Sequence, residues 1–337
     1  MSISFKNRVF GCVIIKSINS NYNADFTHQP RTLPDGTVYA TDKVLKYSIR
    51  NYFKKVYSDE KVFFFKFLNA EMQPLTLLQN YEVIFNKKLP KVDKKDKGAA
   101  ARKEVLVDLL NCIDVRLFGA TFAPKATKEK KSTDDDSEDD GKKEEGKNLN
   151  LSIHGAVQIT HGLNRFPENA IYSEQISSPF RNPGDDSANS TQTTLGTQFK
   201  LREGHYVHHF SVNPQNLDDL VGISGGEALN EDDILKLKNG LAHGVTFYDS
   251  SAKAGTENEL LLWVQLKPES KLVLPSFVEL ISIADDKKRT IDLSKVTDVL
   301  SRPNISSAIE KIEIWYDNTA ATVEGAPANA VYYEIHG

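Results

Sequence analysis

Apolar positions follow two rhythms along this chain, and the sharpest change between them comes early. Residues 8–15 (RVFGCVII) are almost continuously apolar, the pattern of a central strand buried on both faces. Residues 17–40 follow as a long polar loop carrying Asn19, Asn21 and Asn23. It closes in a small hairpin at 31–39, where Pro34-Asp35-Gly36 supplies turn chemistry. Helical spacing then takes over from Thr41 to about Lys54, with Thr41 or Asp42 as N-cap. Val44, Leu45, Ser48, Ile49 and Tyr52 form the face that packs on the strand. Lys43, Lys46, Arg50 and Lys54 fall on another face at the same spacing.

Residues 61–67 (KVFFFKF) form a strand or the packing core of an inserted subdomain, and 75–85 a helix or a strand–helix pair. Residues 90–97 make a basic, mobile loop before a helix at Ala99–Leu110, rich in Ala and Leu. In 111–120, Ile113, Val115 and Leu117 alternate with Asp114 and Arg116, which predicts a strand with one wetter face. Residues 126–148 are low in complexity, and their charge cannot be buried, so disorder is expected. Residues 149–160 read as a strand bulged at Gly155. Residues 162–204 are rich in turn formers yet keep Ile171, Tyr172, Ile176, Phe180, Leu195 and Phe199, the mark of a protruding hairpin. Strands follow at 205–212, 259–267, 277–283 and 311–316. A helix capped by Asn230 runs from Glu231 to about Asn239, and another covers 292–300, ended by Arg302-Pro303. The strong elements run strand, helix, strand, strand, helix, strand. That order fits an α+β chain with a ferredoxin-like, RNA-recognition-motif sheet carrying large insertions; an unspecified α+β domain is the plainer alternative.

Composition narrows the class. A chain of 337 residues, 39% hydrophobic, buries one large core or two ordinary ones. No apolar run approaches the roughly 20 residues of a transmembrane helix, and residues 1–8 lack a signal-peptide pattern. Cys12 and Cys112 both sit in apolar runs and read as small buried hydrophobes in a reducing cytoplasm. The net charge of −4 by itself says nothing for nucleic acid, and its distribution matters more. Residues 128–147 hold nine acidic and six basic residues, whereas 86–103 hold eight basic and two acidic ones. Basic charge is thus locally concentrated.

Nucleotide-binding glycine motifs and H-E-x-x-H are missing from the sequence. Ser224-Gly225-Gly226-Glu227 reads as a turn, and Gly184-Asp185-Asp186 resembles a polymerase motif only in spelling. His208 and His209 point to opposite faces of a strand, so with His205 they make no metal site. Asp25 is the carboxylate a nuclease would use to position a metal or water, although a loop Asp more often caps a turn. A strand, a polar loop and a basic helix stripe side by side make a seat for a phosphate backbone. The stripe alone also fits a solvated helix face.

Four blocks together resemble the backbone subunit of type I CRISPR Cascade complexes, most closely the I-B subtype. They are Ser17-Ile18-Asn19-Ser20-Asn21-Tyr22-Asn23-Ala24-Asp25, the helix from Thr41 to Arg50, residues 114–121 (DVRLFGAT), and 155–161 (GAVQITH) with 194–198 (TLGTQ). Two departures stand out: Asn23-Ala24-Asp25 replaces the Asn-Gly-Asp of I-B relatives, and the acidic insert looks peculiar to this chain. The resemblance implies a hand: palm at 1–55, finger insertion at 56–105, palm at 106–165 with the insert 126–148, thumb at 166–204, and palm with C-terminal strands at 205–337. It implies a non-catalytic subunit for antiviral defence that polymerises head to tail on CRISPR guide RNA and presents it to target DNA. Sibling copies and capping, large and small subunits are the implied partners, with no cofactor and no metal. By position, Lys46 and Arg50 would grip guide phosphates beside Lys43, Arg31, Asn19 and Asn23. His161 and Asn164 would lie at the thumb base and touch RNA. Phe180, Thr194 and Leu195 would sit at the kinked nucleotide or, alternatively, pack on a neighbouring copy. Related type III subunits cleave target RNA with a loop Asp. A metal-dependent endoribonuclease using Asp25 is therefore the alternative, while within type I Asp25 is structural or positions RNA.

Overall fold

The computed structural model of the chain describes residues 3–93, 95–124, 149–181 and 192–336, with backbone only at 181 and 192–195. The insert expected to be disordered at 126–148 and the Gly184-Asp185-Asp186 triplet lie outside the described residues. The strands are β1 (Asn7–Ser20), β2 (Tyr39–Ala40), β3 (Ala120–Phe122), β4 (Leu151–Ile153), β5 (Val157–Ile159), β6 (Gly162–Asn164), β7 (Ile171–Arg181), β8 (Gln192–Val212), β9 (Thr256–Pro268), β10 (Ser282–Ile283), β11 (Thr290–Asp292), β12 (Ile309–Tyr316), β13 (Thr322–Glu324) and β14 (Ala330–Tyr333). The helices are α1 (Asp42–Val56), α2 (Leu77–Phe85), α3 (Ala99–Leu110), α4 (Ile113–Phe118), α5 (Asp218–Ser224), α6 (Glu231–His243), α7 (Ser294–Leu300) and α8 (Pro303–Ser306). The chain is mixed α+β and divides into two units. One holds Met1–Lys6, Phe53–Gln158 and Asn213–Lys236; the other holds Asn7–Tyr52, Ile159–Val212 and Leu237–Gly337.

The second unit is built on β1. Val9, Cys12, Val13, Ile14 and Ile15 have no exposed surface, so the apolar run is a central strand as its pattern predicts. It pairs antiparallel with β8 on one side and β9 on the other, and the sheet continues as β14-β12-β9-β1-β8-β6-β2. The strand outlasts its apolar run, reaching Ser20 where a loop was expected. Buried hydroxyls explain this: Ser20 Oγ lies 2.7 Å from Ser17 Oγ and 2.9 Å from Thr256 Oγ1, so the polar side chains satisfy each other.

Alternation divides the apolar side chains of β1 and β9 between two faces. Phe10, Cys12, Ile14, Leu260, Leu262 and Val264 share a core with Phe277, Ile281, Ile291, Val296 and Leu300. On the other face Phe210 meets Trp263 with ring centroids 5.6 Å apart, and Lys238 Nζ lies 4.8 Å from the Trp263 ring while donating to Glu313 at 2.7 Å. Residues 277–283, expected to be one strand, instead make a 3-10 turn at Val278–Leu280 and only then the short β10. Phe277, Val278, Ile281 and Ile283 of this run all enter that core, a spacing that a turn followed by a short strand meets and a single alternating strand does not.

The first unit corrects the reading of 111–120. This segment forms α4, and all six of its residues are buried. Asp114 accepts from the backbone N–H groups of Phe63 (2.7 Å) and Phe64 (2.9 Å). Arg116 donates to both carboxylate oxygens of Asp233 at 2.9 and 2.6 Å and to the Leu110 carbonyl at 2.7 Å. The polar positions therefore face partners inside the protein, and over six residues an alternating pattern does not separate strand from helix. Gly119 ends α4 at φ +77°, and a Cβ on Gly155 would stand 2.2 Å from the Gly119 nitrogen. That close approach accompanies the break of 149–160 into β4 and β5 around Gly155. Residues 61–67 make no strand; Phe63 packs on Phe85 and Phe122 at 6.3 and 6.0 Å, which is the core reading. Residues 75–85 resolve to α2, opened by a capping box between Thr76 and Gln79.

A second buried polar cluster lies in the sheet unit. His205 Nδ1 is 2.5 Å from Glu259 Oε2 and its Nε2 3.2 Å from Glu203 Oε1, while Arg289 donates to both oxygens of Glu203 at 2.6 and 2.9 Å. Burial pulls the His205 pKa down, but the Glu259 and Glu203 carboxylates outweigh it and raise the value above 6.5. Burial pushes Glu203 up, but Arg289 and His205 win and hold it below 4.5.

Two predictions follow from these pairs. Arg116→Met leaves Asp233 buried without its partner and lowers the free energy of unfolding by about 3–5 kcal/mol in urea titration, whereas Arg116→Met/Asp233→Leu recovers most of the loss. The His205 contribution is complete below its unfolded value near 6.5 and disappears as pH rises through the higher folded value; the Glu203 contribution is complete above 4.5 and fades below it. The difference in melting temperature between wild type and His205→Gln is therefore largest between pH 4.5 and 6.5 and shrinks at alkaline pH.

Candidate nucleic-acid interface

Within the sheet unit, the expected polar loop leaves the end of β1 and is stitched to two elements. Asn21 Nδ2 donates to the His28 carbonyl at 3.1 Å and to the Phe199 carbonyl of β8 at 3.2 Å. Asn23 Oδ1 accepts from the Thr41 backbone N–H at 2.8 Å and from its hydroxyl at 3.0 Å, closing the start of α1. Asn23 thus serves as a clamp between loop and helix. Asn19 is exposed at φ +49° and accepts from the Tyr172 hydroxyl of β7 at 3.1 Å. Asp25 Oδ1 accepts from the Thr27 N–H (2.8 Å), the Thr27 hydroxyl (2.8 Å) and the Gln29 N–H (3.0 Å). These bonds, the Thr27 hydroxyl first, hold its carboxyl below the usual range. Its geometry is that of a turn-capping aspartate.

The basic stripe of α1 is uneven. Lys43 is exposed. Lys46 is partly buried and donates to Asp42 Oδ2 at 2.9 Å, an i,i+4 pair. Asp42 also faces His161, whose Nδ1 lies 3.8 Å from Oδ1. Burial would raise the Asp42 pKa, but Lys46, Lys43 and His161 lower it. His161 is 53% exposed and rests on the Tyr39 ring at 5.5 Å. Arg50 is half-buried. Lys54 leaves the stripe and places its ammonium 3.4 Å from the Phe67 ring centroid. Arg31 is half-buried in the small hairpin and lies close enough to Asp25 to help lower its pKa.

Asn164 is occupied inside the protein. It is 6% exposed; Nδ2 donates to the Glu168 carbonyl (2.8 Å) and Asn169 Oδ1 (3.0 Å), and Oδ1 accepts from the N–H groups of His205 (2.8 Å) and Phe166 (3.2 Å). The structure makes it the rivet at the base of the long hairpin. That hairpin is β7 against β8, in one register from Ile171↔Leu201 to Ile176↔Gly196 and shifted at Ser177↔Thr194 and again by Arg181↔Gln192. Phe180 stands 75% exposed on β7. Thr194 pairs through its backbone with Ser177; the side chains of Thr194 and Leu195 lie outside the described residues.

His208 and His209 occupy opposite faces of β8, as alternation requires. His208 Nδ1 is 3.0 Å from the Thr160 carbonyl, and His209 packs on Phe277 at 5.2 Å. Burial drives both down to about 4, so both are neutral rings. Among the described residues no cluster of three His, Cys, Asp or Glu is placed to hold a metal, and no helix is long and apolar enough to cross a membrane. Two residues of this surface were given no site role from sequence. Asp42 carried a legible signal, its four-residue spacing to Lys46. Phe26, 98% exposed at the loop tip, carried none beyond being a Phe among polar residues.

The model of the CRISPR-associated protein Cas7 family matches residues 7–300, a span that includes β1, the loop, α1 and the long hairpin. The chain belongs to the CRISPR-associated protein Cas7 family. A chain of a CRISPR RNA-guided surveillance complex, pre-nicking, superposes with a TM-score of 0.54 at 14% identity, covering 97% of this chain and 96% of that one. A chain of another CRISPR RNA-guided surveillance complex gives a TM-score of 0.43 at 13% identity over 94% and 96%. The first is a likeness of fold. A search of curated proteins finds no match.

Asn164 yields the prediction that separates scaffold from contact. Asn164→Ala strands the buried N–H of His205 and costs about 1–3 kcal/mol in denaturant titration, while the RNA affinity of the folded protein stays at the wild-type value in an electrophoretic shift assay.

Proposed function

We propose that this Cas7-family chain is a non-catalytic backbone subunit of a type I Cascade surveillance complex, of the I-B subtype, that binds CRISPR guide RNA and presents it to target DNA. The observation that carries the reading is the match of the family model across residues 7–300. The local geometry supports it: the loop after β1 is tied both to the start of α1 and to the long hairpin. In the hand description, β1-α1-β6-β8-α6-β9 form the palm. Their order β9-β1-β8-β6, antiparallel at each step, supports a ferredoxin-like reading of that sheet. Residues 56–105 act as finger and 166–204, the β7–β8 hairpin, as thumb. Lys43, Arg50, Arg31 and His161 reach the sugar-phosphate backbone, with Asn19 beside them; Asn23 and Asn164 hold the frame. Phe180 and Leu195 lie beside a displaced nucleotide. Copies stack head to tail along the guide, with capping, large and small subunits completing the assembly, and such binding follows backbone and shape rather than guide sequence.

The endoribonuclease alternative asks Asp25 to hold a metal or water. Its Oδ1 already accepts three hydrogen bonds from Thr27 and Gln29, which favours the turn-capping role. Matched target RNA should survive incubation with Mg²⁺ or Mn²⁺, and metal-dependent cutting abolished by Asp25→Ala would reverse this reading.

Mass photometry on guide RNAs of stepped length tests the scaffold. Mass should climb in increments of one 37.7 kDa chain, and a single copy at every length would end the polymer model. Lys43→Ala/Arg50→Ala should weaken RNA binding about tenfold or more at low salt and flatten the log–log salt dependence by ~1.4. Lys46→Ala should cost less, because that ammonium is already paired with Asp42.

A further inference from the structure

We propose that Phe26 is a base-stacking residue, its ring taking the face of an unpaired nucleobase in the bound strand. The inference deepens the RNA-binding reading above and rests on it.

Phe26 is 98% exposed, the most exposed of the chain's large hydrophobic side chains among the described residues. A mobile loop would make that unremarkable, but this loop is tied. Asp25 N–H donates to the Gln29 carbonyl at 2.8 Å, His28 N–H to the Asp25 carbonyl at 3.2 Å, and Ala24 bridges Pro30. Three bonds to Asp25 Oδ1 brace the same turn. Outside it, Asn21 anchors the loop to the hairpin strand at Phe199 and Asn23 anchors it to Thr41. The ring is therefore displayed from a fixed platform whose ordering cost is met in folding, which favours binding.

The surroundings indicate the occupant. Thr27, His28 and Gln29 are exposed and polar, Arg31 acts on the Asp25 carboxylate next to Phe26 in the chain, and exposed Lys43 follows Thr41, the residue Asn23 holds. Protein-docking surfaces gather contiguous apolar area at their centre. A single aromatic ring on a polar loop whose anchored ends carry Arg31 and Lys43 nearby in the chain is the composition of a single-strand stacking platform, where cations track phosphates and the ring takes a base face. Every base has a π-face, so such a contact adds affinity without reading sequence.

The test uses the full chain with labelled oligoadenylate RNA at low and moderate salt. Phe26→Ala should weaken binding about tenfold, leave the salt dependence unchanged because no phosphate contact is lost, and leave the melting temperature at the wild-type value. Phe26→Tyr should bind as wild type. The emission that Phe26→Trp adds over the wild-type background should be quenched on binding. If wild type binds in a salt-sensitive way while Phe26→Ala binds equally well and that emission is unmoved, the stacking role is overturned and the RNA reading stands. If Phe26→Ala instead lowers self-association and spares RNA affinity, the ring docks on a second copy and the proposal fails. If wild type itself does not bind and Lys43→Ala/Arg50→Ala changes nothing, the RNA reading falls and the stacking role with it.

Discussion

From Val9 to Ile15, strand β1 has no wet side. Its neighbours β8 and β9 take its backbone hydrogen bonds along both edges, and the side chains from Val9 to Ile15 lie at 4% exposure or less wherever they are apolar. The strand interior tolerates little change: a Cβ on Gly11 would stand 2.2 Å from the Leu262 carbonyl oxygen and 2.5 Å from the Phe210 ring. The rest of the sheet unit depends on this strand. Register on both flanks is set by which residues must stay buried, and the position of its last residue, Ser20, decides where the Asn-rich loop begins.

The candidate interface is a consequence of that placement. Its asparagines divide by position. Asn21 and Asn23 bind backbone and a helix start, Asn164 rivets the hairpin base, and Asn19 remains on the surface. The cations divide likewise. Lys43 stands outward, while Lys46 shares Asp42 with His161. A carboxylate between two basic groups tempers the local positive potential at the start of α1, so the seat is less strongly cationic than a count of lysines implies.

Buried charge organises the other unit in a different way. Arg116, Asp233 and Asp114 are all nearly inaccessible, and each is satisfied by a charged partner or by backbone N–H groups. Such pairs contribute little net stability over apolar packing, but a lone member is costly, so they specify one arrangement of the segments they join. Arg116 connects α4 to the start of α6, and Asp114 fixes the irregular aromatic run at Phe63 and Phe64.

Long apolar runs, cap residues and turn chemistry are local, and they were legible. β1, α3, β9, the Asn230 cap and the long hairpin follow from spacing and residue type within a few positions. So did the family, because several blocks in the same order are specific where one block is not. What the sequence could not decide was the fate of short or polar segments. Residues 113–118 alternate like a strand and fold as a helix, because Asp114 and Arg116 find partners far along the chain. Residues 277–283 turn early and seat Phe277, Val278, Ile281 and Ile283 in one core. Among the site residues, charge type was evident from sequence, but availability was not. Whether Lys46 is paired, Asn164 spent or Phe26 bare depends on groups that only the closed sheet and its loop bring within hydrogen-bonding or van der Waals range, and no local pattern encodes that proximity.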